Sequence, residues 1–119
     1  MRPILAALAT VMPDGQPQVT PVWCDFDGTY MRVNTAAGRP KHRNMQREPR
    51  VTLMLLDPDD QFRYLEVRGT VERVEAEGEA AHIDALARKY LGVEVYPWHT
   101  PGQTRVICYI RPTRVTSSG

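Results

Sequence analysis

The sequence predicts a mainly β (α+β) fold: six antiparallel strands curled into a small barrel, with one short basic helix and one longer amphipathic helix. Gly, Pro and Asp cut the chain into short extended pieces at close intervals. Only one stretch repeats apolar residues at helical spacing over several turns. With 119 residues, 42% apolar and 24% charged, the chain has enough material for one modest core, so residues 1–119 are expected to form a single domain.

Ile4–Met12 reads as the first strand, and Pro13-Asp14-Gly15 as a tight turn in which Gly15 takes the positive φ. Gln16–Asp25 follows as the second strand, with Val19, Pro21 and Trp23 on one face and Thr20, Val22 and Cys24 on the other. Pro21 cannot donate to a sheet ladder, so this strand is an edge, is bulged, or turns toward a ligand. Asp27-Gly28 makes the next hairpin before a third strand, Tyr30–Thr35. Gly38–Glu48 reads as the short helix, with Pro40 in its first turn and Pro49 ending it. Beyond Met45 it has no apolar stripe, so core burial alone does not hold it. Val51–Leu56 is expected to be a central strand buried on both faces, and Phe62–Glu75 a long strand bent or bulged at Gly69. In Glu77–Leu91 the residues Ile83, Leu86, Ala87, Tyr90 and Leu91 recur at helical spacing, and Gly92 stops the helix. A Pro- and Trp-containing loop, Val95–Gly102, leads to the last strand, Gln103–Val115.

Composition narrows the function. The formal charge of +1 provides no global field toward nucleic acid or a membrane, and the longest apolar runs, Ile4–Ala9 and Leu53–Leu56, are too short to span a bilayer as a helix. No secretory leader is recognisable, which points to a cytoplasmic protein. Cys24 and Cys108 lack metal-ligand spacing and read as buried thiols, so no metal site is expected. Hydrolase and P-loop signatures are absent. The aromatics do not interleave with the basic segment as a nucleic-acid surface requires.

The charge is unevenly placed: Arg39, Lys41, Arg43, Arg47 and Arg50 fall within twelve residues, opposed only by Glu48. The stretch Asn34-Thr35-Ala36-Ala37-Gly38-Arg39-Pro40-Lys41 joins a strand end to a helix start, and Asn44 follows one turn on. Small residues there let a phosphate approach backbone N–H groups, which Arg39 and Lys41 would supplement. The same residues also suit a solvated basic helix with no ligand. Likewise Gln18–Trp23 is either a ligand-facing strand or an ordinary edge with Trp23 in the core. His42 is expected to be exposed and His82 structural, whereas His99 and Trp98 in the late loop could line a pocket. Asp57, Asp59 and Asp60 read as a solvated turn.

Two runs together resemble a known family: Gln18-Val19-Thr20-Pro21-Val22-Trp23, and Asn34-Thr35-Ala36-Ala37-Gly38-Arg39-Pro40-Lys41 with Asn44. They are similar to the split β-barrel flavin and deazaflavin oxidoreductases, the pyridoxamine 5'-phosphate oxidase-like proteins, and most to the branch that uses coenzyme F420. Val67-Arg68-Gly69-Thr70-Val71 and Arg111-Pro112-Thr113 extend the likeness over nearly the whole chain. The resemblance implies a homodimer with the cofactor in a groove between subunits. Val19, Thr20, Pro21 and Val22 would frame the ring, and Asn34, Thr35, Ala36, Arg39, Lys41 and Asn44 would hold the phosphate and side chain. The partner's late loop, near Tyr96, Trp98 and Arg105, would close the groove, with Tyr96, Trp98 and His99 as substrate-pocket candidates. The implied activity is hydride transfer from reduced F420 to an activated double bond of a small organic substrate. The protein would orient the cofactor, and a proton would come from water, Tyr96 or His99. The alternatives are an FMN-binding oxidase or flavin reductase, and a non-catalytic barrel for a flavin- or heme-type ligand. Relatives begin with a helix ahead of the first strand, whereas this sequence enters that strand at once. The Arg-rich C-terminal signature for pyridoxamine phosphate is also missing after Cys108.

Overall fold

The computed structural model describes residues 3–118. In chain order it contains β1 (Ala6–Val11), β2 (Pro17–Val22), β3 (Cys24–Phe26), β4 (Met31–Ala36), α1 (Pro40–Arg47), β5 (Arg50–Asp57), β6 (Asp60–Glu75), α2 (Glu79–Leu91) and β7 (Arg105–Ser118). All pairings are antiparallel, in the order β2-β1-β5-β6-β7-β4-β3. The two outermost strands, β2 and β3, are consecutive in the chain and separated only by Trp23. A single residue cannot bridge a flat seven-stranded sheet whose neighbours lie about 4.8 Å apart. The sheet must therefore curl until its edges meet, which makes a split barrel.

The described residues form seven strands rather than six. The expected second strand breaks at Trp23 because its two halves serve different neighbours: Val22 pairs with Ala6 of β1, and Cys24 with Val33 of β4. β7 also runs past Val115, since Thr116, Ser117 and Ser118 pair with Glu66, Leu65 and Tyr64 of the long β6. Backbone pairing extends it where side-chain polarity alone would end it. β5 is not buried on both faces. Val51, Leu53 and Leu55 point into the core, Thr52 and Met54 are half-buried, and Leu56 is exposed.

The β6 bulge falls where expected, with the register slipping between Arg68 and Gly69. A Cβ on Gly69 would lie 2.6 Å from Ile110 Cγ2 and 2.7 Å from the Arg111 carbonyl oxygen, so the close passage of β7 admits only glycine. Leu8, Val33, Leu53, Cys108 and Ile110 lie at the centre of the core, which Met45 of α1 enters from one side. Ile83, Leu86 and Ala87 of α2 are buried on a helix that packs on β4 and β7. Cys24 and Cys108 are free, buried thiols on strands flanking Val33. Two strand spacings is too far for a disulfide. Burial pushes the Cys108 thiol up to about 12.

Met45 is the sole apolar anchor of α1, as its composition suggests, and polar bonds supply the rest. Asn44 Nδ2 donates to Thr10 Oγ1 (3.0 Å) and Gln18 Oε1 (3.2 Å), while Arg47 donates to Asn44 Oδ1 and to the Val11 carbonyl (both 2.8 Å). His42 is buried, contrary to expectation, because its Nδ1 accepts the Gly38 N–H at 2.9 Å and so closes the helix entrance. At the far end of the barrel Tyr90 OH donates to the Ile4 carbonyl (2.7 Å) and accepts from Cys24 N–H (3.2 Å), tying the first strand's approach to β3.

Candidate functional site

A groove of about 300 Å³ opens where the end of β4, the entrance to α1 and the start of β7 converge beside β2. Pairing of Ala36 with Arg105 and Thr35 with Val106 sets Arg105 next to the β4 terminus, and the turn after Ala36 brings Arg39 and Lys41 over the same opening. The three cations therefore meet because two strands end together and a helix begins there.

Among the described residues, none of the three forms an ion pair. Burial, then the neighbouring Arg39 and Arg105 charges, lowers the Lys41 ammonium below its usual range. Burial likewise lowers Arg105; Tyr96 and Glu79 favour its charged form, while Arg39 opposes it. The Thr35 hydroxyl, on the same wall, is buried without a hydrogen-bond partner among the described residues. Half-buried like charges and an orphaned hydroxyl are costly features in a small domain, and an oxyanion placed among them would relieve both.

Backbone donors contribute less than the sequence suggests. Ala37 N–H donates to the Thr104 carbonyl (2.8 Å), Gly38 N–H to His42 Nδ1 (2.9 Å) and Arg39 N–H to the Ala36 carbonyl (3.3 Å). The loop uses these three groups itself, which leaves side chains to do the gripping.

Leu5, Pro21, Val22 and Ile83 make the apolar part of the groove, and Trp23, Tyr96 and Trp98 form an aromatic wall. Trp23 is half-buried rather than a core residue. It stacks on Tyr90 (centroids 5.3 Å apart, planes 13° apart) and meets Tyr96 edge-on at 6.2 Å. Tyr96 lies under the Arg105 guanidinium at 5.0 Å, and its N–H donates to Asp84 Oδ1 at 2.8 Å. Leu5 and Pro21 also border a second, apolar hollow of about 280 Å³ with Ala7, Val19, Thr20, Met54 and Leu56. Together the two make a trough that is cationic at one end and greasy at the other, along the edge strand β2. Among the described residues the outer side of β2 is unpaired in the sheet, and Thr20 carries another buried hydroxyl without a partner.

Of the residues singled out from sequence, Pro21, Val22, Asn34, Thr35, Arg39 and Lys41 border the cationic groove, as do Tyr96 and Trp98. Val19 and Thr20 border the adjoining hollow. Ala36 is buried beside the groove without lining it, and Asn44 faces β1 and β2 on the other side of α1. His99 is exposed in the late loop and lines neither space. Tyr96, Trp98 and Arg105, the late-loop residues named for closing a partner's groove, border the groove of their own chain. Leu5, Trp23, Ile83 and Arg105 join the site by virtue of the fold. Of these, Trp23 stood in the Gln18–Trp23 stretch and Arg105 was named through the family resemblance, whereas Leu5 and Ile83 carried no signal for the site in the sequence.

A curled antiparallel sheet with an anion-seeking trough along its open edge defines a split-barrel cofactor protein of the oxidoreductase type. Residues 2–118 match the pyridoxamine 5'-phosphate oxidase family, and the chain belongs to that family, whose members are typically dimers with a ligand between subunits. Among solved structures it is similar to an F420 reductase, with 39% identity over 97% of this chain and 90% of that one and a TM-score of 0.86. A conserved hypothetical protein from Mycobacterium tuberculosis is 28% identical over 99% of this chain and 77% of that one, with a TM-score of 0.76. A putative pyridoxamine 5'-phosphate oxidase from Listeria innocua, 19% identical over 95% and 86% with a TM-score of 0.71, shares the fold. No helix among the described residues is long and apolar enough to cross a membrane.

Proposed function

We propose that this protein is a coenzyme F420-dependent reductase that delivers hydride to an activated double bond of a small organic substrate. The observation that carries the reading is the convergence of Arg39, Lys41 and Arg105, none of them ion-paired among the described residues, on one wall with the orphaned Thr35 hydroxyl. Those groups fit a phosphate, and the apolar strand edge beyond them fits a planar ring, so the donor set suits a phosphorylated deazaflavin or flavin. The similarity to an F420 reductase favours the deazaflavin.

When bound, the reduced cofactor supplies the hydride. Lys41, Arg39 and Arg105 would hold its phosphate, and Thr35 would donate its hydroxyl to an oxygen. Val19, Thr20, Pro21 and Val22 would lie along the ring and keep water from one face. Tyr96, which borders the groove, is better placed than His99 to hold a proton near a substrate. The apolar end of the trough leaves Leu5 56%, Val19 63% and Leu56 48% exposed, and a second copy of the chain would cover it.

FMN is the second reading, because the same cations would take its phosphate. Titrating the protein separately with F420 and FMN while following the visible spectrum tests both. The expected result is saturable binding of F420, tighter than that of FMN, followed by oxidation of reduced F420 when an enone acceptor is added. Saturation by FMN alone moves the assignment to the second reading, and binding of neither removes both.

A further inference from the structure

We infer that His82, which lies outside the groove, is a positioning residue: through the Asn34 carboxamide it fixes the direction in which Arg105 presents its guanidinium to the anion site. The inference rests on the functional reading above for what the anion is, but not for the positioning itself.

The hydrogen-bond chain can be oriented from its fixed members. Arg105 only donates, and its Nε lies 2.6 Å from Asn34 Oδ1, so the Asn34 oxygen must face Arg105. The Asn34 Nδ2 then faces the Glu79 carbonyl at 3.1 Å, which only accepts, and His82 Nδ1 at 3.2 Å. Both Asn34 amide protons are thereby used, and His82 Nδ1 has to be an acceptor. The ring proton therefore sits on Nε2, which lies 3.3 Å from the Asp25 carboxylate. Arg32 locks Asp25 through two bonds of 2.8 Å, to Oδ1 and Oδ2. Donation runs one way, from Arg105 to Asn34 to His82 to Asp25, and each bond polarises the next.

The consequence for the site follows from counting donors. A guanidinium has five N–H groups, of which Nε–H goes to Asn34 Oδ1 and one on Nη2 to the Asn34 backbone carbonyl at 3.4 Å. The remaining three have no protein partner among the described residues, and this free edge belongs to a residue that borders the groove. If His82 could not accept, the Asn34 amide would lose one of its two reasons to keep its oxygen toward Arg105. A rotated amide would set N–H against N–H and turn the guanidinium away. His82 is 5% exposed and does not itself line the groove; among the described residues its one side-chain hydrogen bond to a groove residue is the bond to Asn34, so that amide is its polar link to an anion.

The groups bonded to the His82 ring are the Asp25 carboxylate from β3 and the Asn34 amide from β4, whose other amide proton goes to the Glu79 carbonyl one turn back on α2. Among the described residues no cation forms a hydrogen bond with the ring. The Arg32 guanidinium is one residue removed, behind Asp25.

Two variants separate positioning from general support. Gln at 82 can accept from Asn34 and donate to Asp25, whereas Leu keeps the volume and can do neither. The direct readout needs no ligand. Nitrogen NMR of the free protein should show His82 protonated at Nε2 and a slowly exchanging Arg105 Nε–H. That signal should persist in His82→Gln and be lost to fast exchange in His82→Leu, with folding checked by circular dichroism. In parallel, FMN and F420 affinities should fall roughly fivefold to tenfold in His82→Leu and recover in His82→Gln. In an Arg105→Ala background, His82→Leu should cost nothing further. A proton on Nδ1, an unchanged Arg105 signal in folded His82→Leu, or additive losses would overturn the inference. If neither cofactor binds the wild type, the functional reading fails, and the NMR result decides the positioning claim alone. If His82→Leu does not fold, the ring protonation in the wild type and the behaviour of His82→Gln decide it.

Discussion

Replacing Lys41 with Met should move stability and affinity in opposite directions. In the free protein the ammonium is half-buried beside Arg39 and Arg105 and forms no ion pair among the described residues. Its charge is therefore opposed by burial first and by its neighbours second. Met keeps the stem and removes the charge, which relieves a repulsion on the order of 0.5 kcal/mol, the scale of partly solvated charge pairs. For a domain of this size that raises the Tm by about 2 °C. With a phosphate in the groove, the same ammonium makes a charged hydrogen bond worth about 1.5–3 kcal/mol, so affinity should drop about 10- to 150-fold. Differential scanning fluorimetry without ligand, and fluorescence titrations with F420 and FMN at one fixed ionic strength, measure the two effects on the same preparation. A Lys41→Met protein that melts lower and binds both molecules as before would show that Lys41 is a structural cation and that the anion site lies elsewhere.

The orphaned Thr35 hydroxyl predicts a related asymmetry. Thr35→Val should leave the free protein at least as stable by urea denaturation and weaken phosphate-bearing ligands about two- to tenfold. Gly69→Ala should destabilise by about 1–3 kcal/mol in the same assay, because the new methyl meets the Arg111 carbonyl at 2.7 Å and a backbone must move. Burial would raise the Asp25 carboxyl, but the hydrogen bonds from His82 and Arg32 outweigh it and hold it at about 2, below its ordinary 3.8. A lowered folded value means this stabilisation, on the order of 2 kcal/mol, is present above pH 4 and is lost as pH falls through 2. Urea denaturation at pH 5 and pH 2 should show Asp25→Asn losing correspondingly less on acidification than the wild type.

Much of this molecule is legible in its residues. Pro13-Asp14-Gly15 forms the expected turn, with Gly15 N–H donating to the Met12 carbonyl at 2.9 Å, and the apolar spacing of Ile83, Leu86 and Ala87 finds the buried face of α2. Pro21 does mark a sheet edge. What local pattern cannot carry is the identity of each strand's neighbours. Nothing in Val22-Trp23-Cys24 announces that the chain leaves β1 and joins β4 there, since that exchange follows from barrel closure. The burial of His42 and the inward hydrogen bonds of Asn44 escape the sequence for a related reason. A polar helix with one apolar anchor looks solvated or ligand-facing until the hydrogen bonds to Gly38, Thr10 and Gln18 show which side is turned inward. Arg105 belongs to the site only because β7 pairs with β4, a contact between positions 71 residues apart.

The most direct test of the anion groove is a crystal structure of the protein grown with F420. The account predicts the cofactor phosphate between Lys41, Arg39 and Arg105 at about 3 Å, within reach of the Thr35 hydroxyl, with the ring along Val19–Val22. A phosphate bound elsewhere, with those three cations still facing open groove, would contradict it.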